Sequence, residues 1–177
     1  MDRIEMFGNI AHNNILRVER MLKMLSSDNQ DALEFITSAA SANLTSFEKL
    51  VLEESNGPLL SGTLMNFVEI GMCGNLIVKG GTPNVNELAN EMTDLYARKN
   101  RDYGNSFDKS MDKFGLVVSA IRIGDKVNRL QSLVAKKGET QVKDESIADT
   151  FMDLACYAIM THMWLVGVEQ IAEEEEE

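Results

Sequence analysis

Apolar residues recur every three or four positions along most of the chain, with polar residues between them. This spacing is typical of α-helices that bury one face, because side chains three and four residues apart share one side of a helix. The clearest series steps by 4, 3, 4, 3 and 4 residues and comprises Leu116, Ala120, Ile123, Val127, Leu130 and Val134. No run alternates with a period of two for long enough to indicate a sheet. The pattern therefore predicts an all-α protein.

Polar residues and glycines mark where the helices begin and end. Three pairs fit a pattern in which a side chain satisfies the first amides of a helix: Ser27 with Gln30, Thr45 with Glu48, and Asn84 with Glu87. Glycine stops follow at Gly57-Pro58, Gly80-Gly81, Gly104, Gly115 and Gly138. The predicted helices span residues 3–26, 28–42, 45–55, 60–79, 84–102, 107–114, 116–137 and 144–171.

The segment Gly80-Gly81-Thr82-Pro83 is the predicted boundary within the chain. Beyond it, three long helices and a short one over residues 81–172 are the inventory of a four-helix bundle. Residues 1–80 are predicted to be an N-terminal helical extension that serves packing or oligomerisation. Residues 173–177 are five glutamates, an acidic tail expected to be frayed and solvated. The expected fold is an all-α helical bundle with its core in the C-terminal half.

The most hydrophobic stretch, residues 59–78, contains Asn66, Glu69 and Asn75. A central glutamate is costly in lipid, so the stretch is predicted to be a buried core or interface helix and not a membrane span. We expect a homo-oligomer with this helix as its interface. The first ten residues lack the apolar region of a signal peptide, so we expect a cytoplasmic protein with no membrane partner.

The charge of the chain further limits its possible binding partners. The net charge of −11 argues against binding to duplex nucleic acid. Residues 98–137 nevertheless contain ten Lys and Arg against four Asp and Glu, a local charge of +6. Such a segment can hold a small polyphosphate, or it can be a solvated helix face. The two cysteines, Cys73 and Cys156, lie in apolar runs and are expected to be buried, reduced thiols.

A charged stripe accompanies the apolar series of the helix over 116–137. It consists of Arg122, Asp125, Lys126 and Arg129. At about 100° per residue, the stripe lies roughly 120° from the apolar side and can border a cleft. The same charges can instead pair with one another within the helix. Both interpretations are open.

Three carboxylates spaced by four residues line one side of the last long helix: Glu145, Asp149 and Asp153. From residue 154 the helix is apolar nearly all round, so Asp153 is where this acidic stripe enters the core. A carboxylate there needs a cation, because an unpaired buried charge costs several kcal/mol. The partner is either Mg²⁺, which binds carboxylates together with substrate phosphates, or a lysine or arginine of the neighbouring helix.

The end of the helix over 84–102 carries further candidates. Lys99 and Tyr103 fall on the same side of this helix as its apolar residues and should point toward the bundle. Lys99 can neutralise Asp153 or bind phosphate, and Tyr103 can stack on a base. Asn100 lies in the same polar turn and joins them as a candidate ligand-binding residue.

Three blocks resemble the nucleotide modification associated domain 1 family, which is common in bacteriophages. They are Lys99-Asn100-Arg101-Asp102-Tyr103-Gly104, Lys126-Val127-Asn128-Arg129-Leu130, and residues 144–158 (DESIADTFMDLACYA). The resemblance covers about residues 84–165 and implies a phage origin and a role linked to nucleotides or base modification. The layout also looks like the all-α NTP pyrophosphatases (MazG and dimeric dUTPase types), which hold Mg²⁺ on E-x-x-E and E-x-x-D pairs. Here the acids, including Glu87 and Glu91, are four residues apart, which departs from that pattern.

These candidates support three hypotheses about function. In the first, Mg²⁺ on Glu145, Asp149 and Asp153 orients a water against a nucleoside triphosphate, and pyrophosphate leaves. Asp102 or Asp125 is then the base, and the ligand-binding residues are Lys99, Asn100, Tyr103, Arg122, Lys126 and Arg129. In the second, the same pocket only binds and sequesters a nucleotide or a nucleotide-derived signal, as an anti-defence protein would. In the third, the charges pair with one another in a structural oligomer.

Overall fold

The computed structural model describes residues 2–25, 27–55, 57–136 and 146–176, with side chains described as far as residue 167. Within these ranges the chain forms α-helices and no strand, so the predicted all-α helical bundle is confirmed. None of the described helices is long and apolar enough to cross a membrane. The helices are α1 (Arg3–Asn13), α2 (Ile15–Met24), α3 (Asn29–Leu52), α4 (Pro58–Lys79), α5 (Val85–Tyr103), α6 (Ser106–Phe114), α7 (Val117–Ala135) and α8 (Ile147–Glu176).

Helices α3, α4, α7 and α8 pack in a ring at the centre of the fold. α4 contacts α3 and α8, and α7 closes the ring by contacting the same two helices. The bundle differs from the prediction in its membership, since α3 and α4 come from the first 80 residues. Residues 67–76 of α4 are all buried. Because a helix is covered on every side only at the centre of a fold, α4 belongs to the bundle and not to an extension. The helices on both sides of residue 80 share one hydrophobic core.

The burial of α4 corrects one expectation. Residues 59–78 are not available as an oligomer interface, because helices of the same chain cover α4 over most of its length. The alternative expectation, a buried core helix, is confirmed. The exceptions lie in the first half of α4, where Leu59 is 69% exposed and Gly62 and Asn66 are also exposed. A homo-oligomer stays a prediction that needs another surface.

Two glycines of α4 let α8 approach closely. A Cβ added to Gly71 would lie 2.6 Å from the carbonyl oxygen of Phe151, and one added to Gly74 would overlap the Phe151 ring. Both distances are too short for real side chains, so these positions exclude anything larger than hydrogen. The glycines therefore fix how deeply α8 lies against α4.

Two predicted boundaries in the N-terminal half are wrong. The helix predicted over 3–26 is divided at Asn14, whose Nδ2 donates to the carbonyl oxygen of Ile10 at 2.8 Å, and forms α1 and α2. The helices predicted over 28–42 and 45–55 are one helix, α3. Thr45 does not cap a second helix, because its Oγ1 donates to the carbonyl oxygen of Ser41 at 3.3 Å within the continuous helix.

The other helix ends are closer to expectation. Asp28, and not Ser27, caps α3 by accepting hydrogen bonds from the first amides of the helix. The predicted Asn84–Glu87 cap is confirmed, with the Glu87 amide donating to Asn84 Oδ1 at 3.0 Å. α8 continues to Glu176, five residues past its predicted end, so the backbone of the acidic tail is helical as far as that residue.

A tight turn joins α5 to α6 and prepares the site described below. Gly104 and Asn105 are both left-handed, with φ of +57° and +55°. Glycine adopts this conformation without strain, and asparagine tolerates it better than most residues. The predicted stop at Gly104 is confirmed. The turn places the start of α6 beside the end of α5, where α6 also contacts α8.

Candidate functional site

Asp153 of α8 lies between two lysines from different helices. Its Oδ1 is 3.0 Å from Lys99 Nζ at the end of α5, and its Oδ2 is 2.9 Å from Lys126 Nζ in α7. The side chains of Asp153 and Lys126 are each 18% exposed, whereas that of Lys99 is 51% exposed. We call these three residues the lysine–aspartate cluster. The structure thus brings three predicted site residues together, with lysines as the cations beside Asp153.

The cluster has a net charge of +1 if each side chain keeps its usual charge. Burial lowers the pKa of Lys99, but the hydrogen bond and the negative charge of Asp153 raise it by more, so its pKa lies above the ordinary value. Lys99 is therefore cationic at neutral pH. An anion that carries more charge than one carboxylate, such as a phosphate, can compete with Asp153 for this lysine.

A cavity of about 210 Å³ opens beside the Lys99–Asp153 pair, between the end of α5, the start of α6 and α8. Phe107 of α6 and Tyr157 of α8 line it, with ring centroids 5.6 Å apart. Tyr103, which is 69% exposed, also contributes to the wall. We call this space the aromatic cavity. Its other lining residues are Leu95, Tyr96, Asn100, Ser106, Cys156 and Met160.

Part of this wall follows from local sequence patterns, and the rest does not. Three predicted ligand-binding residues line the cavity: Lys99, Asn100 and Tyr103. Tyr157 was missed, although it follows Asp153 by four residues and so lies on the same face of α8. No sequence pattern places Phe107 at the cavity, because its position depends on the turn between α5 and α6.

Four other predicted residues lie outside the cavity wall. Asp102, Asp125 and Arg122 are exposed, and none of them lines the cavity. Arg129 is partly buried, and its Nε donates to Thr150 Oγ1 at 3.2 Å. The structure therefore does not place either candidate base, Asp102 or Asp125, at the cavity, and their catalytic role stays a prediction.

Asp149 belongs to the cap of α8. Its Oδ2 accepts hydrogen bonds from the Ser146 hydroxyl at 2.7 Å and from the Ser146 amide at 3.0 Å. In return, the Asp149 amide donates to Ser146 Oγ at 3.1 Å, which completes a reciprocal capping box. The hydroxyl hydrogen bond is the main reason why the pKa of Asp149 lies below its usual value, against an opposing effect of burial.

Replacing Asp149 with asparagine tests this cap. We expect Asp149→Asn to lower the free energy of unfolding by about 1 kcal/mol at neutral pH. Because the folded-state pKa is below the unfolded value of about 3.9, the ionised cap stabilises the fold above that value. Its contribution is lost as the pH falls through the folded-state pKa. Denaturation of both proteins over a series of pH values measures the difference, and a difference that stays constant into strong acid would contradict the prediction.

The described carboxylates do not fit a magnesium site in their present arrangement. Both oxygens of Asp153 face lysine ammonium groups, which repel a divalent cation, and Asp149 is engaged by Ser146. Among the described residues, no group of three or more His, Cys, Asp and Glu side chains could hold a metal ion. Glu145, the third predicted ligand, lies outside the described residues. The requirement for Mg²⁺ stays a prediction.

Two contacts fix the position of α6 and hence of Phe107. Arg3 Nη2 of α1 is 2.7 Å from Asp108 Oδ2. At the other end of α6, Trp164 Nε1 of α8 donates to Asp112 Oδ1 at 2.8 Å. Since neighbouring helices anchor α6 near both ends, this wall of the cavity is held in place by the fold.

Both cysteines are buried and free, in agreement with the sequence analysis. Cys156 lines the cavity, where burial and the nearby charge of Asp153 raise its pKa to about 12, against an opposing effect of Lys99. Burial, with a contribution from Glu69, also raises the pKa of Cys73 to about 12. Because a thiolate is the reactive form, neither thiol is activated as a nucleophile at neutral pH.

Comparison with known proteins connects this site to a family. Residues 99–165 match the sequence model of nucleotide modification associated domain 1. The match starts at Lys99 and includes Lys126, Asp153 and Tyr157, so the whole lysine–aspartate cluster lies inside it. Comparisons with curated proteins and with solved structures gave no match. The resemblance stated from the three sequence blocks is thus confirmed for residues 99–165, the segment that matches the nucleotide modification associated domain 1 family.

Proposed function

We propose that this protein binds a nucleotide in the cytoplasm, with the base in the aromatic cavity and the phosphates at the lysine–aspartate cluster. One observation carries the proposal: Lys99 belongs both to the cluster and to the wall of the cavity. A nucleotide joins a planar ring to an anionic tail, and the site offers aromatic side chains next to a cation. The match to a nucleotide-related family supports the same ligand class.

Asp153 supports the proposal as an internal substitute for a phosphate. It gives Lys99 and Lys126 a common anion within 3.0 Å, which offsets their mutual repulsion when no ligand is bound. Lys99 has half of its flexible side chain exposed and can turn toward a phosphate. Lys126 is far less exposed and remains with Asp153. When Lys99 turns from Asp153 to a phosphate, Asp153 therefore keeps Lys126 as its partner.

Binding without hydrolysis is the form of the proposal that the geometry favours. A pyrophosphohydrolase needs carboxylates for Mg²⁺ and a base beside the substrate. Asp149 and Asp153 already have other partners, while Asp102 and Asp125 lie outside the cavity wall. A protein that sequesters a nucleotide or a nucleotide-derived signal needs only the cavity and the cations. The phage origin implied by the sequence resemblance agrees with such a role.

A thermal-shift panel of NTPs, dNTPs and cyclic nucleotides, each with and without Mg²⁺, tests the proposal. Any ligand present at about 100 times its Kd stabilises the fold by about 2.7 kcal/mol, which gives a clear rise in Tm. We expect at least one nucleotide to raise Tm without Mg²⁺ and without release of pyrophosphate. Release of pyrophosphate in the Mg²⁺ wells would support the hydrolase hypothesis in its place. No shift with any member of the panel would overturn the proposal.

Lys99→Met is expected to weaken binding of the responding nucleotide by about tenfold or more, because it removes the exposed cation beside the cavity. Lys79→Met is the matched control. Lys79 is also partly exposed, at 42%, and forms an ion pair of 2.6 Å with Glu91, but it does not line the cavity. Calorimetric titration should give this control the wild-type Kd. Equal weakening in both variants would mean that overall charge, and not Lys99, attracts the ligand.

A further inference from the structure

Tyr96 carries a buried hydroxyl that has no hydrogen-bond partner among the described residues. The residue is 5% exposed, and its ring stacks on Phe7 of α1 with centroids 4.4 Å apart and an interplanar angle of 5°. The stacking holds the ring in place. Buried polar groups without partners are unfavourable and uncommon in folded proteins. The fold therefore retains a hydroxyl that destabilises it, and phenylalanine would fill the same space without that penalty.

Tyr96 also lines the aromatic cavity. Exposure rises along this face of α5, from 5% at Tyr96, through 51% for the side chain of Lys99, to 69% at Tyr103. Tyr96 thus marks the inner end of the cavity, and Tyr103 marks its mouth. The charged lining residues, Lys99 and Asp153, are both more exposed than Tyr96, with side chains 51% and 18% exposed.

Resting on the function proposed above, we infer that the nucleotide enters base first and that the Tyr96 hydroxyl forms a hydrogen bond with a polar group on the edge of the base. A base has apolar faces and a polar edge, which match aromatic walls and one buried hydroxyl. Phosphates are too costly to bury there and remain at Lys99 near the mouth.

Tyr96 is then the specificity-determining residue of the site. A base that presents no polar group at this edge leaves the hydroxyl unpaired, and sites built to form a hydrogen bond discriminate strongly against such ligands. The ligand class is therefore a nucleotide whose inserted edge can donate to, or accept from, a phenol. Phe7 acts on the ligand only through its stacking on Tyr96 and is a positioning residue.

Calorimetric titration of wild type and Tyr96→Phe with the eight common nucleoside triphosphates tests this inference. We expect Kd for the tightest ligand to rise about tenfold in the variant, which corresponds to about 1.4 kcal/mol. The melting temperature of the unliganded variant should equal or exceed that of the wild type, because the substitution removes the unpaired hydroxyl. Tyr96→Phe should therefore weaken binding without lowering stability. A purely structural role of Tyr96 would not produce this combination.

Thr37→Val is the control, since Thr37 of α3 also buries a hydroxyl that has no hydrogen-bond partner among the described residues, but it does not line the cavity. Its Kd should remain close to that of the wild type. If wild type binds a nucleotide and Tyr96→Phe binds it equally well, this inference is overturned and the proposed function stands. If wild type binds none of the eight ligands, this inference fails, and the proposed function is then decided by the cyclic nucleotides of the thermal-shift panel. An equal rise in Kd in both variants would also overturn the role given to Tyr96.

Discussion

Gly71→Ala is expected to lower the free energy of unfolding by about 3 kcal/mol or more. The new Cβ would lie 2.6 Å from the carbonyl oxygen of Phe151 and 2.8 and 2.9 Å from Cβ and N of Ala155. These atoms belong to the backbone of α8 or are attached directly to it, so rotation of a side chain cannot relieve the overlap. α8 would have to move away from α4 as a whole, and closely packed helices resist such a shift.

Gly62→Ala provides the matched control within the same helix. A Cβ added to Gly62 meets nothing within 4 Å, and the residue is exposed. Alanine favours the helix over glycine, so this variant should be more stable than the wild type by up to about 1 kcal/mol. Urea denaturation of the three proteins measures both effects. Similar free energies for the two variants would show that Gly71 does not set the spacing between α4 and α8.

The same glycine links packing to the site. The overlap falls on Phe151 and Ala155, on either side of Asp153, and Tyr157 follows within the next turn of α8. A displacement of α8 therefore moves Asp153 relative to Lys99 and changes the shape of the aromatic cavity. Gly71→Ala protein that still folds should bind nucleotide more weakly than Gly62→Ala protein at the same temperature.

Local sequence signals predicted the helices and part of the site. The apolar series from Leu116 to Val134 starts at the N-cap residue of α7 and continues along that helix, and the cap at Asn84 forms as expected. Lys99 was expected on the inner side of its helix, with Asp153 as one possible partner, and the two do meet. These predictions succeeded because each depends on spacing within one helix, which the period of the α-helix determines.

Long-range contacts explain what the sequence did not predict. Thr45 fits a helix start in isolation, yet α3 continues through it because its apolar side packs along α4 and α7. The apolar character of α4 is compatible with an oligomer interface or with a core, and only the positions of α3 and α8 distinguish them. Phe107 and Tyr157 are fifty residues apart in the chain, and no local pattern indicates that they share a cavity.

Asp153→Asn is expected to destabilise the fold and to tighten nucleotide binding. Without the carboxylate, Lys99 and Lys126 lose their common anion and repel each other. Removing one partner of a fully buried ion pair costs about 3–5 kcal/mol, and we expect about 2 kcal/mol here because half of the Lys99 side chain is exposed. A bound phosphate replaces the missing anion, so Kd should fall by about tenfold, as it would on removal of an internal competitor.

The sign of this change in affinity distinguishes the two roles considered for Asp153. If Asp153 held Mg²⁺ for catalysis, Asp153→Asn would weaken binding in the presence of Mg²⁺ and abolish any dependence on the metal. If Asp153 substitutes for a phosphate, the variant binds more tightly with or without Mg²⁺.

Glu91→Gln is the control, because it removes one acid from the exposed Lys79–Glu91 pair and should change stability by less than about 1 kcal/mol. Titration at low temperature, where every variant remains folded, separates affinity from stability, and weaker binding by Asp153→Asn would refute the role of Asp153 as an internal anion.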